Sequence, residues 1–199
     1  MYDKWDLFMD IIPELKNRES PLVFDERDIE KEKIEALVEA ARWAPSCFNN
    51  QPWNYVFVRK GDSTRKDLEE ALSLGNGWAK KAPILVAVGA KPDEDCDVNG
   101  LPYYAYDAGL SVMSMVVEAE HLGLHTHQMA GYDEKKVRKA LGFPESHRII
   151  VLFALGYEGD VKSVWDKLEQ RIKDRLAQPR TRKSTEKNFF FASFGNEHG

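Results

Sequence analysis

Hydrophobic positions along the chain change their spacing several times, and each change marks an element. Ile34, Leu37, Val38 and Ala41 recur at three- and four-residue intervals, on one face of a helix. Asp28 stands where a cap would start that helix and Pro45 where it would stop. Tyr55 to Val58 and Pro83 to Val88 are short runs of aromatic and aliphatic residues, many β-branched, between polar or glycine-containing segments, and both predict strands. Between them, Asp62 to Ser73 carries Leu68, Ala71 and Leu72 on one side and predicts a second helix, ended by Gly75, Asn76 and Gly77. From Tyr104 to Leu122 almost every residue is apolar or small, the pattern of a helix buried on most of its circumference. One domain rarely covers such a helix alone. Gly109, Ser111 and Ser114 leave room for a second helix to approach, and a dimer interface would complete the cover. Ile149 to Leu155 predicts a third strand, and Ser163 to Ala177 a charged helix with Trp165, Leu168, Ile172 and Leu176 on one face. The tail is different material. It runs from Pro179 through a basic cluster to Phe189, Phe190, Phe191 and Phe194, too aromatic to stay free in water.

Alternating helices and strands also suit a doubly wound dinucleotide fold, but its fingerprint is missing. Gly75 and Gly77 follow a helix rather than a strand, and no third glycine completes a phosphate-binding turn. The 199 residues suit a single domain over 1–199, with 43% hydrophobic and 31% charged residues, an ordinary globular balance. A net charge of −5 argues against nucleic acid or an anionic membrane as partner, since both are held by clustered Lys and Arg. No apolar run is long enough to span a bilayer. The opening amphipathic segment, from Met1 to Lys16, carries acidic residues and Pro13 within its apolar stretch and does not suit a signal peptide. Cys47 and Cys96 lie far apart without a Cys-x-x-Cys spacing, so neither a zinc site nor a disulfide framework is indicated. A reducing compartment, the cytoplasm, is the expected location.

Candidate chemistry lies in three separated clusters. Arg18 and Ser20 come first; Arg180 and Arg182, beside Lys183 and Ser184, come last; both supply the charge-assisted donors that a phosphate monoester needs. An isolated Arg-x-Arg or Arg-x-Ser is ordinarily a solvated patch, so the weight falls on the third cluster. It is the run Ala44, Pro45, Ser46, Cys47, Phe48, Asn49, Asn50, Gln51, Pro52, Trp53, after the first long helix and before the first strand. Taken alone, Ser46 and Asn49 are turn formers and Pro45 a helix stop. His125 and His127 share one face of an extended segment, but no third ligand accompanies them, and no metal site is expected. They read as structural or as lining a pocket, and His121 and His147 show no pattern. The acidic segment Asp93 to Asp97, before Pro102 and Tyr103, reads as a solvated loop in a place where a lid could lie.

Together these residues resemble the nitroreductase superfamily, whose usual opening is Arg-x-Ser, a Phe four residues later, a helix, then Ala-Pro-Ser-x-x-Asn-x-Gln-Pro-Trp. The chain has Arg18, Ser20 and Phe24, then Ala44, Pro45, Ser46, Asn49, Gln51, Pro52 and Trp53. Asp107, Ala108 and Gly109 open the buried helix as in the family, and Leu122, Gly123 and Leu124 close it. The resemblance spans residues 18 to about 182 and implies an α+β fold, a mixed sheet flanked by helices, in a homodimer whose tail (179–199) packs on the partner subunit. It implies FMN as cofactor, with Arg18, Glu19 (through its backbone), Ser20, Arg180 and Arg182 at the phosphate and ribityl end. Pro45, Ser46, Cys47 and Asn49 would come from the partner to close over the same flavin. Met129, Ala130 and Gly131 would run along the isoalloxazine, with the Ala130 N–H directed at N5, and Asn76 is a looser candidate for a contact to the ring. Leu22 stands where many members carry Lys or Arg, which removes a cation from the N1 and C2 carbonyl side; Lys80 and Lys81 are candidates to replace it. Cys47 reads as a small buried hydrophobe rather than a redox partner of the flavin. The activity implied is electron transfer from NADH or NADPH to a small acceptor such as a nitroaromatic or quinone in two half-reactions, with no protein acid or base. A specialised member, either a reductive dehalogenase or a flavin-consuming enzyme, and a non-catalytic flavin store or sensor are the alternatives.

Overall fold

Seven consecutive residues, Ile84–Ala90, are all buried, which happens to a strand only when both faces and both edges are covered. This strand, β2, lies between β1 (Trp53–Arg59) and β6 (Arg148–Gly156) in a computed structural model that describes residues 11–196. The first ten residues of the opening amphipathic segment fall outside those described. With β5 (His125–Met129) on the far side of β6, the sheet order is β1-β2-β6-β5. A two-residue hairpin, β3 (Asp97–Val98) with β4 (Leu101–Pro102), stands apart from it. All three pairings in the main sheet are antiparallel, so the parallel pairing that a mixed sheet requires is not among the described residues. Near the end of β2 the register with β6 shifts at Val88/Gly89. A Cβ on Gly89 would come within 2.8 Å of the Phe143 ring, so only glycine lets that ring close over the strand.

Because side chains alternate across a strand, Ile84, Val86 and Val88 share one face, joined by Phe153 and Leu155 of β6. Against them pack Leu37 and Ala41 of α2 (Lys31–Arg42) and Ala108, Met115, Val116 and Ala119 of α4 (Tyr104–His121). The alternate set, Leu85 and Ala87, is buried too, and so are Leu68 of α3 (Arg65–Ala71) and Val137 of α5 (Glu134–Leu141). A short α1 (Pro13–Asn17) precedes these, and α6 (Val161–Val164) and α7 (Gln170–Leu176) follow. Two compact units result, one ending at Ser163 and the other beginning at Val164. In the second unit the Phe190 and Phe194 rings lie 4.7 Å apart.

Three expectations need correction. Asp28 does not cap α2: Glu30 occupies the N-cap without a side-chain cap, because its carboxylate accepts the Tyr157 hydroxyl instead. Gly75, Asn76 and Gly77 do not end α3, which stops at Ala71; Leu74–Lys81 forms a 3-10 run of its own. The charged helix expected over Ser163 to Ala177 is broken. Backbone at Leu168 and Glu169 is extended, and the Glu169 carbonyl receives the first N–H groups of α7. No Pro or Gly announces the break, and apolar spacing continues across it. The third strand appears as expected, and α4 matches its predicted bounds to within a residue. α5 escaped notice because it buries only Val137, too few apolar positions for a period to show.

Candidate functional site

Pro13 starts α1, and the chain then runs without helix from residue 18, through a bend at Leu22, to an isolated bridge at Phe24, with Arg18 and Ser20 facing α4. Arg18 Nη1 donates to Ser20 Oγ at 3.0 Å. Both line a hollow of about 360 Å³ whose other walls are Gly109, Val112, Met113 and Val116 of α4 and the amide of Gln128 on β5. Polar donors thus stand at one side and an apolar helix face at the other. Nothing lies within 4 Å of where a Cβ on Gly109 would be, so the helix presents open space there. Behind the segment sits Glu120, its side chain nearly enclosed. His125 Nδ1 lies 3.2 Å from its carboxylate, Arg18 faces it, and the Glu19 backbone donates to it. Burial raises the Glu120 carboxyl above its ordinary range, with His125 and Arg18 opposing.

A second hollow of about 370 Å³ lies between α2 and β1, walled by Val38, Trp53, Tyr55, Phe57 and Met115. Its one lining cation, Arg42, is held by both carboxylate oxygens of Glu39. That donor set does not suit a phosphate ester; the Arg18 and Ser20 hollow does.

The 44–53 run forms a tight loop. Ser46 is extended, Cys47–Asn49 is a single 3-10 turn, and Phe48, Asn49 and Gln51 have φ of 47°, 59° and 49°. Ser46 Oγ accepts the Gln51 N–H at 3.0 Å, and Asp107 Oδ2 accepts the Cys47 N–H at 2.6 Å. Asp107 is 1% exposed; burial pushes its carboxyl up, the Cys47 N–H opposes this, and the neighbouring Asp95 adds to it. Cys47 is neither an unpaired hydrophobe nor remote from Cys96: the two form a disulfide. The expectation of two separate cysteines fails because the acidic segment folds back through the β3–β4 hairpin, which a separation of 49 residues cannot reveal. Cys47, Asp95 and Cys96 bring their ligand atoms within 4.8 Å, but the sulfurs are bonded to each other.

Among the nominated residues, Arg18 and Ser20 are brought together; Pro45, Ser46, Cys47 and Asn49 do not line the same hollow within one chain. Leu22 is 7% exposed and is not part of that lining. Lys80 is exposed, and Lys81 Nζ pairs with Glu26 at 3.3 Å. Met129 is buried at the end of β5 and Ala130 is exposed just past it. Gly131 is clamped: its carbonyl accepts Ser73 N–H at 3.0 Å and Asn76 Nδ2 at 2.8 Å, and a Cβ there would come within 2.4 Å of Ser73 Oγ. The Asn76 amide is therefore engaged with backbone. His127 is structural, with Nδ1 2.8 Å from the Pro21 carbonyl and its ring 4.2 Å from that of Trp78. Arg180 and Arg182 lie exposed in the second unit, where Arg182 Nη1 donates to the Thr181 carbonyl. Sequence reasoning missed Gln128 and the role of Asp107. An acid within the otherwise uncharged first three turns of α4 was the available signal for the latter.

Comparison with known proteins adds to this geometry. The model of the Nitroreductase family matches residues 15–76 and 72–157. A 15.4 kDa protein of Mycolicibacterium smegmatis is 34% identical over 135 residues, 68% of this chain and 87% of that protein. The NADH dehydrogenase of Thermus thermophilus is 26% identical over 158 residues, 64% of this chain and 76% of the relative. A crystal structure described as an oxidoreductase containing FMN is 27% identical, with a TM-score of 0.81 over 94% of each chain.

Proposed function

The chain belongs to the nitroreductase family, and from that premise we propose that it is an FMN-dependent oxidoreductase, cytoplasmic and homodimeric. In this reading NADH or NADPH is the donor and a small nitroaromatic or quinone the acceptor. The observation that carries the reading is the hollow in which Arg18 and Ser20 face the Gly109 to Val116 side of α4. Arg18 and Ser20 bind the phosphate end by charge-assisted hydrogen bonds. The backbone of Glu19, pinned by Glu120, fixes where Arg18 points. Val112, Met113 and Val116 give an apolar wall that excludes water beside the cofactor. Ala130, exposed at the end of β5 and anchored by the clamp on Gly131, offers a backbone N–H to the ring edge. FMN, when bound, supplies the two-electron chemistry between donor and acceptor. Pro45, Ser46, Cys47 and Asn49 close the site from the second subunit.

The test is optical. Purified protein is expected to be yellow, with noncovalent FMN near one per chain, and to bleach on mixing with NADH or NADPH. Arg18→Ala should weaken FMN binding by about 1.5 to 3 kcal/mol, the range for hydrogen bonds to charged groups, read by fluorescence titration. A colourless chain that gains no flavin spectrum on adding FMN sinks the proposal. A bound flavin that neither nucleotide bleaches points to storage or sensing instead.

A further inference from the structure

The Cys47–Cys96 disulfide joins two loops that otherwise meet through the Asn50 side chain and through Asp107, which accepts the Cys47 N–H and is hydrogen-bonded with Asp95. On one side is the 44–53 loop, with three non-glycine residues in left-handed backbone. Such backbone persists only where surrounding contacts over-determine it. On the other side are the 92–94 turn and the β3–β4 hairpin, where Asn99 also has positive φ. Besides the disulfide, the side-chain bonds between the two loops run from Asn50 Nδ2, to Asp95 Oδ1 at 3.2 Å and to Cys96 Sγ at 3.5 Å. A chain with a continuous core under α2 and α4 does not need one disulfide as a staple. In the reducing compartment proposed above, a disulfide that forms is characteristically a transient or redox-sensing one. Both cysteines are only half-buried in the single chain, and exchange requires that a thiolate reach one of the two sulfurs.

We propose that Cys47 and Cys96 form a thiol–disulfide exchange site, which an external dithiol reduces, freeing the 91–103 segment from the 44–53 loop. A thiolate of the dithiol attacks Cys47 Sγ, forming a mixed disulfide as the Cys47–Cys96 bond breaks. Cys96 leaves as a thiolate toward the Asn50 amide, which donates to that sulfur, and then takes a proton from water. The second thiol of the dithiol attacks its own mixed-disulfide sulfur, closing a cyclic disulfide and expelling Cys47, which is protonated in turn. Two electrons pass from the dithiol to the cystine, and two thiols replace two thiols. Reduction also loosens the cover that Cys47 and Asn49 are proposed to give the flavin. That consequence rests on the function proposed above; the exchange chemistry does not.

The experiment uses the protein as purified, with dithiothreitol as the dithiol. Alkylation and mass spectrometry count the thiols, hydrogen exchange reads the loops, and near-ultraviolet dichroism reports the fold. Millimolar dithiothreitol is expected to reduce the bond in the folded protein. Exchange over 91–103 and 46–51 should then rise about tenfold or more while β2 stays unchanged, the mark of a local opening. Cys96→Ser should exchange fast with and without the dithiol. A bond that yields only on global unfolding, or reduction that leaves both loops unchanged, overturns the proposal. FMN release is followed in parallel where the protein carries it. A chain that binds no FMN refutes the function above, and the thiol and exchange measurements still decide the cystine.

Discussion

Arg65 draws three backbone carbonyls onto one side chain. It is 4% exposed, yet its guanidinium donates to the carbonyls of Val58 at 3.1 Å, Lys80 at 3.3 Å and Ala82 at 2.8 Å, and to Glu69 at 2.7 Å. It joins α3, the end of β1 and the 3-10 run leading into β2. The planar fork of arginine can serve several acceptors at once where lysine cannot. Arg65→Ala removes every one of these donors and strands the Glu69 charge. The expected loss is about 3 kcal/mol, the low end for a broken buried pair because Glu69 keeps some contact with water. Urea denaturation measures it, and a loss below about 1 kcal/mol would mean the carbonyls find other partners. In the sequence Arg65 stood as one polar residue on an amphipathic helix, because hydrophobic spacing says which face is buried and not which charge is drawn under it.

Between elements, α1 is fastened to α4 by a titratable pair. His121 Nδ1 lies 3.0 Å from Glu14 Oε1. The hydrogen bond to Glu14, aided by the charges of Glu118 and Glu14, raises the imidazole above the ordinary histidine value. Its own backbone N–H, then His121, lower the Glu14 carboxyl. A group raised on folding adds stability that is complete below its unfolded value and is lost as pH rises through the folded one. A lowered carboxyl adds stability that is present above its unfolded value and lost as pH falls through the folded one. The bridge is therefore strongest between the ordinary Glu and His values, about pH 5 to 6, and fades toward alkaline pH. Amide exchange over 13–17 should quicken beyond its intrinsic pH dependence as pH rises past the His121 midpoint, and His121→Gln should abolish that extra step. An NMR midpoint for His121 at or below the ordinary histidine value would remove the bridge.

At the scale of the whole molecule, apolar surface remains uncovered in one chain. Tyr106 of α4 is 62% exposed and Met113 beside the Arg18 hollow is 40% exposed. In the tail, Phe189 and Phe194 are 63% and 93% exposed. Each unit thus carries exposed aromatic or aliphatic side chains of its own, the kind of surface that a protein interface covers. The proposed homodimer supplies it, with the tail seated on the partner. Sedimentation should show a dimer, and truncation after Asn188 should lower the melting temperature and speed FMN release. A stable wild-type monomer would refute the two-chain site.

Periodicity and motif together made much of the fold and the family legible from residues alone. The apolar run from Pro83 to Val88 predicts a strand, and the apolar and small-residue pattern over 104–122 a packed helix, and both elements are present. Arg18, Ser20 and the Ala44 to Trp53 run point to the nitroreductase family, because residue types and short spacing are properties of the chain itself. Tertiary structure alone decided what depends on distant segments meeting. It joined Cys47 to Cys96 across 49 residues, buried Arg65 among three carbonyls, and turned Asp107 toward the Cys47 N–H. It also broke the helix expected over 163–177 at Leu168, where no local residue signals a stop. Local propensity carries no term for such meetings; they follow from the closure of loops and the burial of polar groups that must then find partners.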